Sequence, residues 1–424
     1  MLIPLEEAQA TVLAGCRALE PVEVGWSDAT SGQVVAADVV AAAAVPAFAN
    51  TAMDGYAVRA ADVATVPVRL PVVAEVAAGH PASRPLQAGE AMRIFTGAPI
   101  PEGADAVVMV EHTTRLNGAG EVGGEQVEIH EPAVAGDHIR PPGDDFRPGD
   151  VIVVAGDELT PGRLGALRTV GVERFPVHPR PRVGVLSTGD ELVQTGPLGP
   201  GQIYDSNRPT LLALAAAAGA VPVDLGHVVD DEASITAVIT AGAEGCDVVL
   251  STGGVSMGDT DLVKVVLDNL ASAGGGAMRW MQVAIKPAKP LAFGVVAGVP
   301  VLGLPGNPVS SMVSFALFAR AGLRLMAGHR PERLHLPRFQ AVAAEPFRRS
   351  PDGKIQFARA TVAAGGGPHG ELAVRSSGGQ GSHQLGAMAR ADGLVVLPDG
   401  DGVDAGDLVE VLLLAEPPTI GHAP

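Results

Sequence analysis

Residues 247–261 have the sequence DVVLSTGGVSMGDTD, and this stretch decides the fold class of the segment around it. It opens on an apolar run of the kind found in strands that are buried on both faces of a parallel sheet. Gly253 and Gly254 then allow a sharp turn, and Ser256 and Asp261 precede an apolar-periodic helix. This order suits a bound phosphate together with a divalent cation. On this stretch alone, an ordinary strand-to-helix turn with an aspartate cap is the simpler interpretation.

The neighbouring sequence predicts a central, doubly wound α/β domain over residues 181–330. Apolar runs typical of buried strands alternate there with segments whose apolar residues recur at helical spacing. The predicted strands are 182–187, 221–228, 247–251, 279–285, 291–296 and 300–304, and the predicted helices are 207–218, 231–243, 261–272 and 308–326.

The rest of the chain predicts a multidomain α/β and β protein, since 424 residues are too many for one core. Residues 1–44 and 143–180 are assigned to a discontinuous helical linker domain that includes an N-terminal helical arm. Short β-prone runs divided by Gly and Pro predict an inserted β-rich domain at 45–142 and a small C-terminal β-barrel at 335–424.

The helical linker domain is predicted from apolar spacing and from helix caps. Helices are expected at 5–19 and at 33–44, and a third after Thr160, which precedes a proline at the first helical position. Asp231 is a predicted cap of the same kind in the α/β domain. The predicted β strands outside that domain are 66–76, 91–95, 106–110, 126–129, 338–344, 355–362, 371–375, 393–397 and 408–414.

Composition narrows the functional class. A net charge of −18 argues against a nucleic-acid partner and against an anionic membrane surface. The longest apolar run is too short to span a bilayer. Cys16 and Cys246 are the only cysteines, so a thiolate zinc site and a disulfide framework are both excluded, and a reducing, cytoplasmic location is expected.

The turns that follow the predicted strands are enriched in charged residues and glycines. In an open α/β sheet, ligands bind beyond the carboxyl ends of the strands, so these turns are expected to face one site. Asn307 is predicted to cap the helix that begins at Pro308 and to leave free N–H groups at this edge. The turn residues are Glu191, Asp230, Gly253, Gly254, Lys286, Lys289, Pro305 and Asn307.

Phosphate chemistry suits such an edge. Lys286 and Lys289 can neutralise phosphate oxygens, and the prolines around them stiffen the turn that carries them. Asp261, together with Glu191 or Asp230, can hold Mg²⁺, a hard cation that prefers oxygen ligands. For each acid taken singly, a helix cap or a solvated charge stays an open alternative.

Longer motifs extend this interpretation over nearly the whole chain. They are NTAMDGYA at 50–57, RIFTGAPIPEGADAVVMVE at 93–111, STGDEL at 187–192, IYDSNRP at 203–209, GGVSMGDTD at 253–261, AIKPAKP at 284–290, GLPGNPVS at 303–310 and QGSH at 380–383. In this order they resemble the molybdopterin molybdenumtransferase family, the molybdenum insertases of molybdenum-cofactor biosynthesis, which include the E domain of gephyrin. One departure is Ala288, which stands where the family usually has Gly between the two lysines.

The resemblance implies a reaction in which molybdate and adenylylated molybdopterin give molybdenum cofactor and AMP, with Mg²⁺ assisting. The family's motifs assign a role to residues in every part of the chain. The implied catalytic residues are Asp54, Thr96, Glu191, Asp261, Lys286 and Lys289; the implied substrate-binding residues are Asp145, Asp205, Asn207, Gly253, Gly254, Ser256, Pro305, Asn307, Arg359 and Ser382; and the implied metal ligands are Glu191, Asp230 and Asp261.

The resemblance also implies a homodimer, in which the domain at 45–142 closes the cleft of the other subunit. The upstream molybdopterin adenylyltransferase is a candidate partner. That enzyme shares the α/β module, including STGDEL and IYDSN, so it is also an alternative function for this chain. A non-catalytic binding or scaffold role, as in the gephyrin relative, is the second alternative.

Overall fold

The computed structural model describes residues 2–117, 124–254, 262–365 and 370–414. The chain forms two compact units. The first consists of Met1–Ala37, Ala155–Leu159 and Pro176–Pro424, and the second of Asp38–Val154 and Thr160–Phe175. The first unit therefore contains the predicted α/β and C-terminal domains, and the second contains the predicted β-rich domain.

The α/β domain is built on one six-stranded sheet. In spatial order its strands are Val221–Val228, Arg182–Thr188, Val248–Thr252, Val299–Leu304, Pro290–Val296 and Arg279–Gln282. The first four run parallel, and the last two are antiparallel to their neighbours. All four parallel strands therefore end at the same edge of the sheet.

Helices cover both faces of this sheet because its strands are apolar on both sides. Val248 and Leu250 lie in one hydrophobic core, and Val249, between them, lies in another. This alternation is the period of a strand, and it confirms the doubly wound arrangement. The first core includes residues of the helices Leu5–Ala14, Asn207–Ala217 and Pro308–Met326, and the second includes residues of Glu232–Gly245 and Leu262–Ala273.

The helix Pro308–Met326 is interrupted in the middle. Its α-helical segments Pro308–Ser314 and Arg320–Met326 are joined by a π-helical turn at Phe315–Ala319. Within the described residues, this helix alone is long and apolar enough to cross a membrane, but 78% of its apolar window is buried inside the protein. It is therefore a core helix of the α/β domain.

The C-terminal domain is a closed five-stranded barrel. Ile355–Ala363 pairs with both Ala373–Ser376 and Gly393–Leu397, and the ring closes through Arg338–Ala343 and Leu408–Leu413. The short strand Ile285–Lys286 of the α/β domain is added in parallel to the start of Ile355–Ala363. The smaller elements of this domain are Phe347–Arg348, Gly402–Val403 and the helix Leu385–Ala389, and a 3-10 turn at Pro331–Arg333 leads into it.

The second unit contains a six-stranded sheet. Its strands, in spatial order, are Ala106–Met109, Gly55–Val58, Ala91–Ile94, Val68–Val76, Gln126–Ile129 and Thr113–Asn117. All four strands predicted in this region are therefore present. The smaller elements are the paired strands Asn50–Thr51 and Ile139–Arg140, the 3-10 turns Ala60–Asp62 and Val110–His112, and the helix Pro161–Thr169.

The prediction of a helix at 33–44 is wrong. The structure forms two short strands there, Val34–Val35 and Val39–Val40. Val35 pairs with the strand Arg174–His178, and Val40 with Val151–Val153. Adjacent β-branched valines favour extended backbone, and this preference outweighs the helix propensity of the alanines around them.

Several predicted boundaries also change. The helix predicted over 5–19 ends at Ala14, before a short strand at Val22–Gly25, and the strand predicted at 279–285 ends at Gln282. The predicted caps are confirmed at Thr160 and Asp231, whose side chains accept hydrogen bonds from the backbone N–H groups of Arg163 and Ser234. Asn307 occupies the cap position before Pro308, but its side chain makes no capping bond.

Candidate active site

A cavity of about 650 Å³ lies beyond the carboxyl ends of three parallel strands. The turns that follow these strands line it, together with two residues of the C-terminal domain. Five predicted site residues are among the lining, namely Glu191, Asp205, Asn207, Gly253 and Asn307. The other lining residues are Thr188, Leu192, Ile203, Tyr204, Ser206, Thr252, Gly306, Pro308, His383 and Leu385. We call this space the sheet-edge cavity.

Asn207 ties together three turns around the cavity. Its Nδ2 donates to Oγ1 of Thr252 at 2.8 Å and to the carbonyl oxygen of Gly306 at 2.7 Å. Thr252 Oγ1 in turn donates to the carbonyl oxygen of Pro305 at 3.4 Å. Asn207 therefore fixes the cavity wall, because its amide hydrogens are already used within the protein.

Asp205 is buried in the same wall, with a side chain that is 1% exposed. Its carboxylate accepts hydrogen bonds from Ser187 Oγ at 2.6 Å and from Arg208, through Nε at 3.0 Å and the backbone N at 3.1 Å. Arg208 also pairs with Asp224. This carboxylate links strand, turn and helix start, so the structure assigns it to the frame of the cavity.

The glycine turn at the end of Val248–Thr252 needs its glycines. Gly253 and Gly254 have φ values of +95° and +67°, which side chains rarely adopt. A Cβ on Gly253 would also lie 2.9 Å from the carbonyl oxygen of Thr188. The next residues of the motif, including Ser256 and Asp261, lie outside the described residues.

The acids predicted to hold a metal are only partly placed by the structure. Glu191 lines the sheet-edge cavity, and its carboxylate folds back over Gly189. The backbone N–H of Asp230 donates to the Asp190 carboxylate at 3.2 Å. Among the described residues, no three His, Cys, Asp or Glu side chains are grouped as a cation site. The oxygen donor of Glu191 fits a hard cation, and the third predicted ligand, Asp261, is outside the described chain.

The two predicted catalytic lysines lie on a turn of the α/β domain that is bound to the barrel. Strand Ile285–Lys286 pairs with Ile355–Gln356, and the N–H of Val283 donates to the carbonyl oxygen of Lys289 at 2.7 Å. Both lysine side chains are exposed, and within the described chain neither Nζ makes a hydrogen bond or an ion pair. Neither lysine lines the sheet-edge cavity. Ala288, between them, has a φ of +75°, which explains why the family prefers Gly there.

Arg359 is buried in the barrel at 1% exposure and organises the loop that carries Ser382. Its Nη2 donates to the carbonyl oxygens of Gly379 at 2.8 Å and Gly381 at 3.1 Å. Its Nε is buried and has no acceptor, and burial lowers the pKa of the guanidinium. A buried cation with a spare donor fits an anionic ligand.

The start of the helix Pro308–Met326 is less open than expected. The N–H of Val309 donates to the carbonyl oxygen of Ser382 at 3.1 Å, so this group is not free for a ligand. The same bond ties the C-terminal loop to the sheet edge and accounts for the presence of His383 in the cavity lining. Sequence reasoning missed His383 as a site residue, although it is the last residue of the QGSH motif.

In the second unit, Asp54 and Thr96 are in direct contact, as expected if they act together. The Asp54 carboxylate accepts hydrogen bonds from the backbone N and from Oγ1 of Thr96, each at 2.7 Å. These bonds, the backbone one above all, hold the pKa of Asp54 below its usual value. Asp145 is exposed in a turn where its N–H donates to the carbonyl oxygen of Val45 at 2.9 Å.

Comparison with known proteins gives matches over the whole chain. Residues 3–171 match the MoeA N-terminal region (domain I and II), residues 184–324 a probable molybdopterin binding domain, and residues 340–414 the MoeA C-terminal region (domain IV). Molybdopterin molybdenumtransferase 2 of Mycobacterium tuberculosis is 39% identical over 417 residues, which cover 96% of each chain. This chain belongs to the molybdopterin molybdenumtransferase family.

Other molybdopterin molybdenumtransferases support the assignment. The protein of that name from Haemophilus influenzae is 37% identical over 383 residues, covering 90% of this chain and 91% of its own. The crystal structure of a molybdopterin biosynthesis moeA protein from Pyrococcus horikoshii OT3 has a TM-score of 0.77 at 27% identity, and the match covers 97% of this chain and 100% of that one. The fold of this family member is therefore that of MoeA.

Proposed function

We propose that this chain inserts molybdate into adenylylated molybdopterin, with cleavage of the adenylyl phosphoanhydride and release of AMP. The observation that carries the proposal is the sheet-edge cavity. It lies at the carboxyl edge of the sheet, and all of its lining residues except His383 and Leu385 belong to the segment that matches a probable molybdopterin binding domain. Ligands of open α/β sheets bind at this edge. The names of the relatives supply the transfer of molybdenum as the reaction.

The charges that develop on phosphate and molybdate oxygens require cations that the fold has not already used. Lys286 and Lys289 meet this requirement, because their ammonium groups are exposed and form no ion pair within the described chain; Lys286 only contributes, as the last cause, to the lowered pKa of Asp352. Positioned charges of this kind stabilise a transition state without reorganisation. Arg359 supports the same proposal by fixing the loop 379–381 with a buried guanidinium whose Nε has no acceptor in the described chain.

Mg²⁺ is part of the proposal, with Glu191, Asp230 and Asp261 as its ligands. Bound Mg²⁺ would neutralise charge on the phosphoanhydride oxygens. We expect Glu191→Gln to require a higher Mg²⁺ concentration for half-maximal AMP release, since an amide oxygen is the poorer ligand. Glu6→Gln, which changes an exposed acid in the first turn of the helix Leu5–Ala14, is the matched control. Identical Mg²⁺ titrations for the parent and Glu191→Gln would remove Glu191 from the metal site.

The decisive experiment supplies adenylylated molybdopterin, molybdate and Mg²⁺ to the purified chain and follows AMP and molybdenum cofactor by chromatography. We expect both products to form in equal amounts and to depend on molybdate. Adenylylation of molybdopterin from ATP would instead support the adenylyltransferase alternative. Tight binding of adenylylated molybdopterin without AMP release would support a binding role.

A homodimer with shared sites, in the cytoplasm, completes the proposal. The family resemblance suggests the dimer, and the two free thiols, Cys16 and Cys246, suggest the compartment. Asp54→Ala and Asp261→Ala subunits, each inactive alone, should regain about a quarter of the parent's activity when refolded together, because random pairing leaves one intact site in each mixed dimer. Mixed dimers without activity would show that each site is built within one subunit. The upstream adenylyltransferase is the proposed supplier of the substrate.

A further inference from the structure

A second cleft, of about 700 Å³, lies where the helix Arg320–Met326 is followed by the 3-10 turn Pro331–Arg333 and the first barrel strand. Its charged lining consists of four arginines and one carboxylate, Arg320, Arg324, Arg333, Arg338 and Glu332. Among the described residues, it shares no lining with the sheet-edge cavity. In a chain with a net charge of −18, this grouping of cations is a local exception. We call it the arginine cleft.

Two of these arginines are held in place by backbone carbonyls. Arg320 and Arg324 are four residues apart on one helix, so their side chains share a face. Arg320 Nη1 donates to the carbonyl oxygen of Leu334, and Arg324 Nε donates to that of Arg333, each at 2.6 Å. Backbone carbonyl oxygens therefore hold both guanidinium groups beside the cleft.

Ion pairs neutralise only part of the cleft. Arg324 has its closest carboxylate, Glu158, at 3.6 Å, and Arg338 pairs with Glu410 at 2.9 Å. In the part of the chain that the structure describes, no carboxylate lies within 4.0 Å of Arg320 or Arg333. Arg320 and Arg333 therefore form no ion pair in the described chain, and only the more distant Glu158 acts on Arg320, where it opposes the lowering of the pKa.

Arg320 is the arginine of the cleft whose charged form is most strongly desolvated. Burial, and after it the neighbouring Arg324, lowers the pKa of Arg320 to about 10, so the group stays charged at neutral pH although it has lost hydration. Burial also lowers the pKa of His335 in the lining, so the positive charge of the cleft comes from the arginines. A desolvated, unpaired guanidinium is costly, and an anion in the cleft would offset that cost.

We propose that the arginine cleft binds a tetrahedral oxyanion of the phosphate type. Guanidinium groups match the oxygens of such an anion with paired, charge-assisted hydrogen bonds, and Arg320 is already held in place by Leu334. The anion is either free or carried as the phosphate group of a larger molecule, for which a cleft of about 700 Å³ has room. This site is separate from the transfer reaction, and its occupation does not depend on the proposed function.

The test is isothermal titration calorimetry on the full chain carrying Lys286→Ala and Lys289→Ala, which removes the exposed lysines of the proposed active site. Inorganic phosphate and AMP are titrated separately. We expect binding that Arg333→Gln weakens by about tenfold or more, since a charge-assisted bidentate contact is lost. Equal affinity for both probes indicates a free anion, and binding of AMP alone indicates a phosphate ester.

Arg348→Gln is the matched control, because Arg348 is an exposed arginine of the barrel that pairs with Asp404. It removes the same charge and should leave the affinity unchanged. Arg320→Lys is the second variant: it keeps the charge, loses the planar fork, and should also weaken binding, with a thermal melt to verify folding. The proposal is overturned if neither probe binds, or if Arg333→Gln and Arg348→Gln titrate like the parent. In a chain with the lysines intact, Arg333→Gln should form AMP at the parental rate.

Discussion

Lys286 and Lys289 differ from the Asp205–Arg208 pair in whether their charges are already paired within the protein. The two lysines are exposed and unpaired in the described chain, on a turn that is held by backbone hydrogen bonds and by the buried side chains of Ile285 and Ala288. Asp205 and Arg208 are 1% and 11% exposed, and each is bonded to the other. Both sets belong to motifs of the family. Motif residues of this fold therefore divide into those that build the cavity and those left available for chemistry.

The largest effect is expected when an available charge is removed. Lys286→Ala and Lys289→Ala should each lower the rate of AMP release by about 10²–10³, because a positioned donor to the transition state is lost. The melting temperature should not change, since neither ammonium group forms a hydrogen bond or an ion pair with the described part of the chain. Lys264→Ala is the control, because it removes a lysine whose ammonium group lies over the ring of Trp280, 5.6 Å from its centroid, and is already used within the protein. A lysine variant with parental turnover would show that its ammonium group has no part in the reaction.

Removal of the buried Asp205 charge should instead lower the stability of the protein. Asp205→Asn should destabilise the protein by about 3 kcal/mol, because a buried ion pair loses one partner. The free energy of unfolding in urea measures this loss. Asp224→Asn removes the other partner of Arg208. Because the Asp224 side chain is 51% exposed, this change should lower the free energy of unfolding by less than about 1 kcal/mol. Equal stability of the Asp205→Asn variant and the parent would refute the structural role of Asp205.

The Asp54 carboxylate lies between these two cases, because it is exposed but accepts hydrogen bonds from Thr96. The variant Thr96→Val tests its role through the pH dependence of stability. Loss of the Thr96 hydroxyl should raise the pKa of Asp54 part of the way to its ordinary value, while the stronger backbone bond remains. A lowered carboxyl pKa contributes stability that is present above the unfolded-state pKa and is lost as the pH falls through the folded-state pKa. The stability difference between parent and variant should therefore disappear in strong acid. An NMR titration of the Asp54 carboxyl that is the same in both proteins would contradict this account.

The smallest effect is expected at Ala288→Gly. Relief of the left-handed backbone gains about 1–2 kcal/mol, but Gly loses about 0.5–1 kcal/mol in chain entropy and about 0.8 kcal/mol from the buried methyl group. The two effects nearly cancel, so the free energy of unfolding should change by less than about 1 kcal/mol in either direction, and activity should stay parental. A loss of activity would mean that the methyl group itself positions the lysines.

Most of the α/β domain could be predicted from the sequence because its signals are local and redundant. The strand at Val221–Val228 has the predicted bounds, and the helix at Glu232–Gly245 begins after its predicted cap. The segment 33–44 was mispredicted because Ala and Val favour opposite structures and no periodicity decides between them.

From the residue pattern alone, the candidate site was predictable only where its residues follow strands of one sheet, whereas Asp205, Asn207 and Arg359 were predicted from the family resemblance. Glu191, Gly253 and Asn307 are brought together by that topology. Arg359 and His383 come from the barrel, and nothing local to their sequence states that the barrel loop binds the start of the helix at Val309. Whether a barrel residue reaches the sheet-edge cavity depends on how the barrel packs against the α/β domain. The residue pattern within one domain does not encode that packing.

The strand Ile285–Lys286 has a mechanical consequence. It belongs by sequence to the α/β domain but is hydrogen-bonded into the barrel, with the N–H of Ile355 donating to the carbonyl oxygen of Ala284 at 2.9 Å. The barrel therefore cannot swing away from the α/β domain without either breaking this ladder or pulling the lysine turn along with it. Any hinge between these two domains has to leave this seam closed, so the lysine turn and the barrel strand with Arg359 move together.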